Sequence, residues 1–312
     1  MIGILNVYKE ANMTSFDVVA IVRRVLQVRR VGHIGTLDPM ATGVLPVLVG
    51  KATRLNEYFD EGEKEYVFAM RFGEETDTLD STGTVLRQSE KTIISEEELL
   101  SGAARFVGSF QQQTPLYSAV KVNGKKLYEY ARKGLPVTRP MRSVTVSALT
   151  LERKLKDGAV FRCRCSKGTY IRQLIADLGR VLGTYATMTA LERTQVGSFT
   201  AKDAIRISSI KAMTCAEAEA CLLPADLALP QFAKVVLTPQ QSWRVSQGQV
   251  VLLREGDLST EEKENFSGSS TNALFTLPDG EKELVRVYEG SRFLGIGHRC
   301  QERLKMKKML AE

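Results

Sequence analysis

Between Gly32 and Pro46 the chain reads GHIGTLDPMATGVLP. Three glycines in this run, Gly32, Gly35 and Gly43, let the backbone adopt dihedrals or close approaches that side chains forbid. Asp38 is followed by Pro39, whose ring pushes Asp38 away from helical geometry. The spacing predicts a Gly-rich loop from Gly32 to Gly50 that fixes one carboxylate in place. A carboxylate held rigidly on such a loop is a candidate catalytic group. The alternative is an Asp-Pro turn whose side chain only satisfies nearby backbone donors. The run is no known phosphate cradle, because it lacks G-x-x-x-x-G-K-[ST] and no G-x-G-x-x-G opens a helix. A serine triad is excluded too: there is no G-x-S-x-G, and the chain has only two histidines.

Composition narrows the class. The 312 residues are 43% hydrophobic and 25% charged, enough for a sizeable core and incompatible with general disorder. One large domain or two are expected. Five scattered cysteines form neither a disulfide framework nor a C-x-x-C pair, so zinc is not expected, and their odd number suits a reducing cytoplasm. The start, MIGILNVYKEANMTS, has no secretory pattern, and no run approaches the ~20 apolar residues of a membrane span. A net charge of +7 leans toward a polyanionic partner.

Periodicity predicts a strand over Ile2 to Val7, then a helix capped at Thr14 or Ser15 and running to about Val28. Phe16, Val19, Val22 and Leu26 are expected on its buried face. Strands are expected over Lys64 to Phe72, Ser143 to Leu151, Ala159 to Ser166 and Met188 to Phe199. A capping box at Ser95 and Glu98 starts a helix to about Val107, and Thr169 caps another that Gly183 stops. After the Leu229-Pro230 pair, short strands at Ala233 to Leu237, Val250 to Leu253, Ala273 to Leu277, Leu284 to Tyr288 and Phe293 to Gly297 suggest a small β-barrel. The acidic Glu255 to Thr271 stretch reads as a mobile loop, and Arg303 to Lys308 as an exposed basic tail.

Two further segments bear on chemistry. In CRCSKGTYIRQLIADLG, Cys163 to Gly179, Tyr170 and Arg172 fall in a first helical turn, where a cation opposes the helix dipole unless an anion joins it. That anion could be a phosphate or a catalytic carboxylate; a plain surface arginine is the other reading. Lys64-Glu65-Tyr66 puts an aromatic beside a base on a strand, which suits either nucleobase stacking or the core. Between them, Gln111 to Arg142 is basic, tyrosine-bearing and broken by Gly and Pro.

Together these blocks resemble the TruB family of RNA pseudouridine synthases. GHIGTLDPMATGVLP is similar to the family's catalytic loop, KEYVFAMRFGEETDTLDSTG to the block after it, QQQTPLYSAVKVNGKKLYEYARKG to its RNA-gripping insertion, and RCSKGTYIRQLIADLG to its second active-site block. The resemblance implies an α+β pseudouridine synthase fold, a mixed and largely antiparallel sheet with flanking helices. The catalytic domain would be 1–229, with an insertion at about 111–142. A PUA-like RNA-binding barrel with a basic tail would occupy 230–312. It makes Asp38 the essential carboxylate, Arg172 its partner, and Tyr66 the ring that stacks on the target uracil. Leu191 becomes the apolar floor under the base, with Tyr170 beside Arg172. His33 helps hold the RNA loop with its base unstacked. Lys64, Lys121, Arg132 and Arg142 are candidate RNA contacts. The implied activity is isomerisation of uridine 55 in the T-loop of tRNA, without cofactor or metal, in the cytoplasm. The implied partner is the tRNA T-arm stem-loop, with no membrane and no obligate protein. The competing readings are a non-catalytic RNA-binding or chaperone module and a guide-RNA-dependent synthase. One departure stands out: the family's K-P-x-G-x-T-S is here Lys9-Glu10-Ala11-Asn12-Met13-Thr14-Ser15, without its Pro and Gly.

Overall fold

The structure is a computed structural model and describes residues 1–59, 62–253 and 282–310. Strand β1 (Gly3–Lys9) leads into helix α1 (Ser15–Leu26). Thr14 caps α1: its hydroxyl accepts from the Asp17 N–H, and the Asp17 carboxylate accepts from the Thr14 N–H. The buried face of α1 is Ser15, Val18, Val19, Val22 and Leu26. Phe16 does not belong to it and is 66% exposed, because Ser15 takes the inward position at the first turn. Strands β2 (Val31–His33) and β3 (Thr42–Val49) follow. They pair with each other, Val31 opposite Val49 and His33 opposite Val47. The loop expected over Gly32 to Gly50 is therefore cut to 34–41.

Strand β4 (Lys64–Phe72) has the expected limits. The β5 (Glu74–Thr76) and β6 (Val85–Gln88) hairpin encloses the polar turn that follows it. Helix α2 (Glu96–Ala104) starts at the Ser95–Glu98 capping box and ends before Val107. Strand β7 (Gly108–Gln113) is the sheet edge. Beyond it, β8 (Lys121–Val122) and β9 (Lys125–Lys126) make a hairpin around Asn123-Gly124, both with positive φ. Helix α3 (Leu127–Arg132) follows, and β10 (Met141–Lys154) returns to pair with β7, Met141 opposite Gln113. The excursion away from the sheet is thus 114–140. Strand β11 (Gly158–Cys165), helix α4 (Ile171–Val181), strands β12 (Ala186–Val196), β13 (Phe199–Thr200) and β14 (Ile205–Arg206), and helices α5 (Ile207–Ala212) and α6 (Cys215–Ala220) complete this part.

The main sheet runs β14-β1-β3-β12-β4-β11-β10-β7, with β2 on β3 and β13 on β12. Its described pairs are antiparallel except β1 with β14 and β3 with β12. The expected mixed, largely antiparallel α+β architecture is what forms. Helices α1, α2, α4 and α5 cover one face around Leu5, Phe68, Met70, Phe161, Leu174 and Leu178. The other face packs Ile4, Val44, Leu48 and Leu55 against the 225–229 turn and, from the C-terminal part, Ile296 and Leu310.

That C-terminal part contains β15 (Ala233–Leu237), helix α7 (Pro239–Ser246), β16 (Val251–Leu252), β17 (Glu283–Glu289), β18 (Arg292–Cys300) and β19 (Arg303–Met309). The five strands form a separate sheet, β15-β17-β18-β19-β16, over its own small core. The basic tail expected to be exposed is strand β19, anchored by buried Leu304 and by pairing on both sides. The lysines at 305, 307 and 308 mask its alternation with apolar residues. The strand expected at Ala273 to Leu277 and the loop at Glu255 to Thr271 lie outside the described residues. Among the described residues, no helix is long and apolar enough to cross a membrane.

Candidate active site

The Asp38 loop, 34–41, is held from three directions. From α1, the Ser15 hydroxyl donates to the Leu37 carbonyl at 3.1 Å and accepts from the Leu37 N–H at 2.9 Å. From β1, the fully buried Lys9 ammonium donates to the carbonyls of Glu10, Met13 and Pro39 at 3.0, 2.7 and 3.0 Å. From β12, fully buried Arg193 donates to the carbonyls of Val44 and Gly35 at 2.8 and 2.9 Å. Each cation thus closes orphaned loop carbonyls that would otherwise be buried without a donor. Burial pushes the Lys9 ammonium down to about 8, against the pull of Asp38 and Asp17.

Where β3 leaves the loop, Gly43 has φ +104° and lies against Arg193, so close that a Cβ would sit 2.2 Å from the Arg193 carbonyl oxygen. This is where β3 and β12 make their two parallel pairs, Thr42 with Glu192 and Gly43 with Arg193. Only glycine allows that approach. The altered Lys9 to Ser15 turn also has an account: Asn12 takes φ +62° where the family pattern has glycine. Asparagine tolerates the left-handed region better than other side chains.

Arg172 is the second residue of α4 and is 6% exposed. Its Nε donates to one Asp38 oxygen at 2.9 Å and its Nη2 to the other at 3.3 Å. The remaining donors go to the carbonyls of Thr78 at 2.7 Å and Tyr117 at 3.0 Å. A second carboxylate, buried Asp80, stands 3.8 Å from Nη1 and is itself held by Thr78 and Thr82. Asp38 faces solvent on its other side, its side chain 35% exposed. The anion that a cation at a helix N-terminus calls for is the loop carboxylate. Thr169 is not the cap of α4: Tyr170 is, and the Gln112 side chain on β7 bonds its N–H and its carbonyl together, at 2.9 and 3.1 Å.

The apolar candidates lie on one stretch of the main sheet. Tyr66 on β4, 7% exposed, is opposite Cys163 of β11 and Arg193 of β12. Leu191, 8% exposed, is opposite Phe68 two positions along the same face. Both belong to the core cluster that also holds Leu37 and Ile171, the neighbours of Asp38 and Arg172 in sequence. The structure therefore joins Asp38 directly to Arg172, with Tyr170 two residues before Arg172, and sets Tyr66 and Leu191 in the same core as Leu37 and Ile171.

It does not bring the other candidates there. Lys64 is only 8% exposed at the start of β4, so it offers no open ammonium for a phosphate. Lys121 and Arg132 are exposed on the excursion, the latter over the Tyr128 ring, and Arg142 is exposed on β10, next to the edge strand and near Gly168. His33, half-buried on β2, lines a separate cleft with Arg29 and Arg30. The sequence reading missed Lys9, Ser15, Asp80, Gln112 and Arg193. The available signal was Lys9 at the end of an otherwise apolar strand.

Comparison with known proteins leads to a class of RNA-modifying isomerases, the pseudouridine synthases. The family model described as "TruB family pseudouridylate synthase (N terminal domain)" matches residues 23–171. The one described as "tRNA pseudouridylate synthase B C-terminal domain" matches residues 172–230. The tRNA pseudouridine synthase B of Clostridium perfringens is 40% identical over 314 aligned residues that span both chains fully. That of Clostridium tetani is 36% identical, covering 99% of this chain and 100% of its own. The Lactococcus lactis relative is 44% identical over 77% of this chain and 75% of its own. The chain belongs to the TruB family. Among solved structures, an H/ACA RNP bound to a substrate RNA containing 2′-deoxyuridine has a similar fold: TM-score 0.68 at 20% identity, covering 99% of this chain and 85% of that one. An archaeal box H/ACA sRNP Nop10-Cbf5 complex gives 0.67 at 19%, covering 99% and 86%.

Proposed function

We propose that this chain is a stand-alone isomerase that converts uridine 55 in the T-loop of tRNA to pseudouridine in the cytoplasm. The observation that carries this reading is the Asp38–Arg172 pair, a buried guanidinium aiming a half-exposed carboxylate at 2.9 and 3.3 Å. Residues 1–229 act as the catalytic unit and 230–312 as an accessory RNA-binding module.

The chemistry follows from what such a site offers. The reaction breaks the N-glycosidic bond, turns the uracil and joins C5 to C1′. No atom is gained or lost, so the protein needs only to expose the base, stabilise the separated pieces and keep water out. Unstacking the nucleotide costs a few kcal/mol. Tyr66 and Leu191 offset this with a ring and an apolar surface at the mouth of the core. Asp38 meets the sugar as an anion, in the role of nucleophile, charge stabiliser or proton acceptor. Arg172 keeps it aimed, and Asp80 with the Thr78 and Tyr117 carbonyls fixes Arg172 in turn. Exposed Lys121, Arg132 and Arg142 meet phosphates, and His33 supports the opened loop.

The test is direct. Purified protein is mixed with an unmodified T-arm transcript in EDTA, and pseudouridine is mapped by carbodiimide labelling and primer-extension stops. A single stop at the T-loop uridine is expected. Its loss in Asp38→Asn, with RNA binding retained, is the second expected result. Turnover by Asp38→Asn at the wild-type rate overturns the site. No stop with the intact protein, despite RNA binding, moves the reading to a guide-dependent enzyme or a binding module.

A further inference from the structure

Two backbone carbonyls hold the Arg172 fork, and they come from different parts of the chain. The Thr78 carbonyl belongs to the turn between β5 and β6, which is closed by its own bonds. The Asp77 N–H donates to the Thr84 carbonyl at 3.0 Å, the Thr84 N–H to the Asp77 carboxylate at 2.7 Å, and the Leu79 N–H to the Thr76 carbonyl at 3.2 Å. This turn keeps Leu79 at φ +64°, a left-handed conformation that a leucine retains only where its surroundings over-determine it. The Tyr117 carbonyl belongs instead to the excursion, in the stretch 114–120 that is neither helix nor strand. No sheet ladder fixes its direction there. Its local support is a three-residue turn centred on Tyr117, in which the Ser118 N–H donates to the Leu116 carbonyl at 3.0 Å.

One side chain joins the two carbonyls. The Tyr117 hydroxyl donates to the Asp77 carboxylate at 2.9 Å, on the oxygen that the Thr84 N–H does not use. That bond pushes the Tyr117 phenol up, so the hydroxyl stays a donor. Asp77 and Thr78 are adjacent in sequence, so the contacts form a closed circuit: guanidinium, Tyr117 carbonyl, Tyr117 hydroxyl, Asp77, Thr78 carbonyl and guanidinium again. The excursion is braced behind Tyr117. The Ser118 carbonyl accepts from the Tyr128 N–H at 3.1 Å, the Val120 carbonyl accepts from the Leu127 N–H at 2.8 Å, and Leu127 is fully buried.

We propose that Tyr117 is a positioning residue for the reaction. Its hydroxyl on Asp77 locks its carbonyl onto Arg172, and through Arg172 it sets the direction of Asp38. It acts without touching the reacting atoms. The proposal rests on the functional reading above and gives a residue of the excursion an effect on the rate, apart from any grip on RNA. A phenylalanine at 117 keeps the ring and the three-residue turn but frees the excursion from the β5–β6 turn. The two carbonyls then move independently. A guanidinium has its donors in a fixed plane, so it cannot follow both and keep both bonds to Asp38.

The test is a double-mutant cycle, read by single-turnover pseudouridine formation with protein in excess over a T-arm transcript and by filter binding of the same RNA. Tyr117→Phe is expected to slow conversion about 3- to 30-fold, part of the worth of one charge-assisted bond, with RNA affinity unchanged. In the Arg172→Lys background no fork is left to aim, and the same change is expected to cost less than about twofold. Asp77→Asn still offers the Tyr117 hydroxyl a partner and the Thr84 N–H an acceptor, so its rate is expected between those of the wild type and Tyr117→Phe. A wild-type rate in Tyr117→Phe overturns the proposal. So does a loss that persists in full in Arg172→Lys, as a general folding defect would. A loss of affinity that matches the loss of rate overturns it too, because Tyr117 would then be an RNA contact. A wild type that converts no RNA overturns the functional reading, and this proposal with it.

Discussion

Replacing Arg172 with lysine keeps the charge and removes the fork. In the structure the three guanidinium nitrogens serve four acceptors at once: both Asp38 oxygens and the carbonyls of Thr78 and Tyr117. A lysine has one nitrogen and cannot reach acceptors spread around a plane. At least one of the two bonds to Asp38 is lost, and a charge-assisted bond is worth about 1.5–3 kcal/mol. Spent wholly on aiming the carboxylate in the transition state, that is a rate loss of about 10- to 150-fold. The assay is single-turnover pseudouridine formation with Arg172→Lys in excess over a T-arm transcript. RNA affinity should be unchanged, because the side chain is too deeply buried to meet a phosphate. A wild-type rate would refute the argument that bidentate geometry matters. An affinity loss equal to the rate loss would recast Arg172 as an RNA contact.

Other expectations follow from the residues around the pair. Tyr66→Leu should lose turnover while filter binding of the T-arm persists; parallel loss of both would make Tyr66 a docking residue. Lys9 titrates from about 8 in the folded protein, below its ordinary value near 10.5. The folded state therefore sheds this proton first, and the cost of burying the charge, fully present below pH 8, fades as pH rises toward the unfolded value. Measured by urea unfolding, the stability advantage of the wild type over Lys9→Met should grow by about 1–2 kcal/mol between pH 7 and 9.5; a flat or falling difference would contradict it. Gly43→Ala forces a Cβ into the Arg193 carbonyl and should cost at least about 2 kcal/mol, with lost activity as β3 and β12 part. Asn12→Gly should be tolerated while Asn12→Val costs about 1–2 kcal/mol, both read by thermal unfolding.

The parts legible in the sequence are those whose cause is local. Strand β4 was bounded by its alternation, the starts of α1 and α2 by their capping residues, and the β7–β10 excursion by its turn residues. Asp38 and Arg172 each stood out locally, a carboxylate on a stiff loop and a cation at the wrong end of a helix, but it was the family resemblance that paired them. Lys9 and Arg193 were not legible, because their partners are backbone carbonyls, which leave no trace in residue identity. Pro39 is 30 positions from Lys9, and Gly35 is 158 from Arg193. Phe16 was misplaced since three-residue spacing fits two phases of a helix, and the Ser15–Leu37 contact that chooses between them is long-range. In β19, three lysines among the outward positions hid a strand whose register is set by β18 and β16.

The order of strands in the main sheet has a consequence for how the protein is made. The first strands synthesised, β1 and β3, end up between β14 and β12, which are among the last of that sheet to leave the ribosome. Until then the outer edge of β1 and the Thr42–Gly43 end of β3 lack neighbours, and Asp38 lacks its guanidinium clamp, since Arg172 follows it by 134 residues. A nascent chain thus carries its reactive loop unsupported for most of its synthesis and acquires the site in one late closure. No N-terminal fragment stopping before β12 can be partly active, and the exposed outer edge of β1 is where a stalled chain would first stick to others.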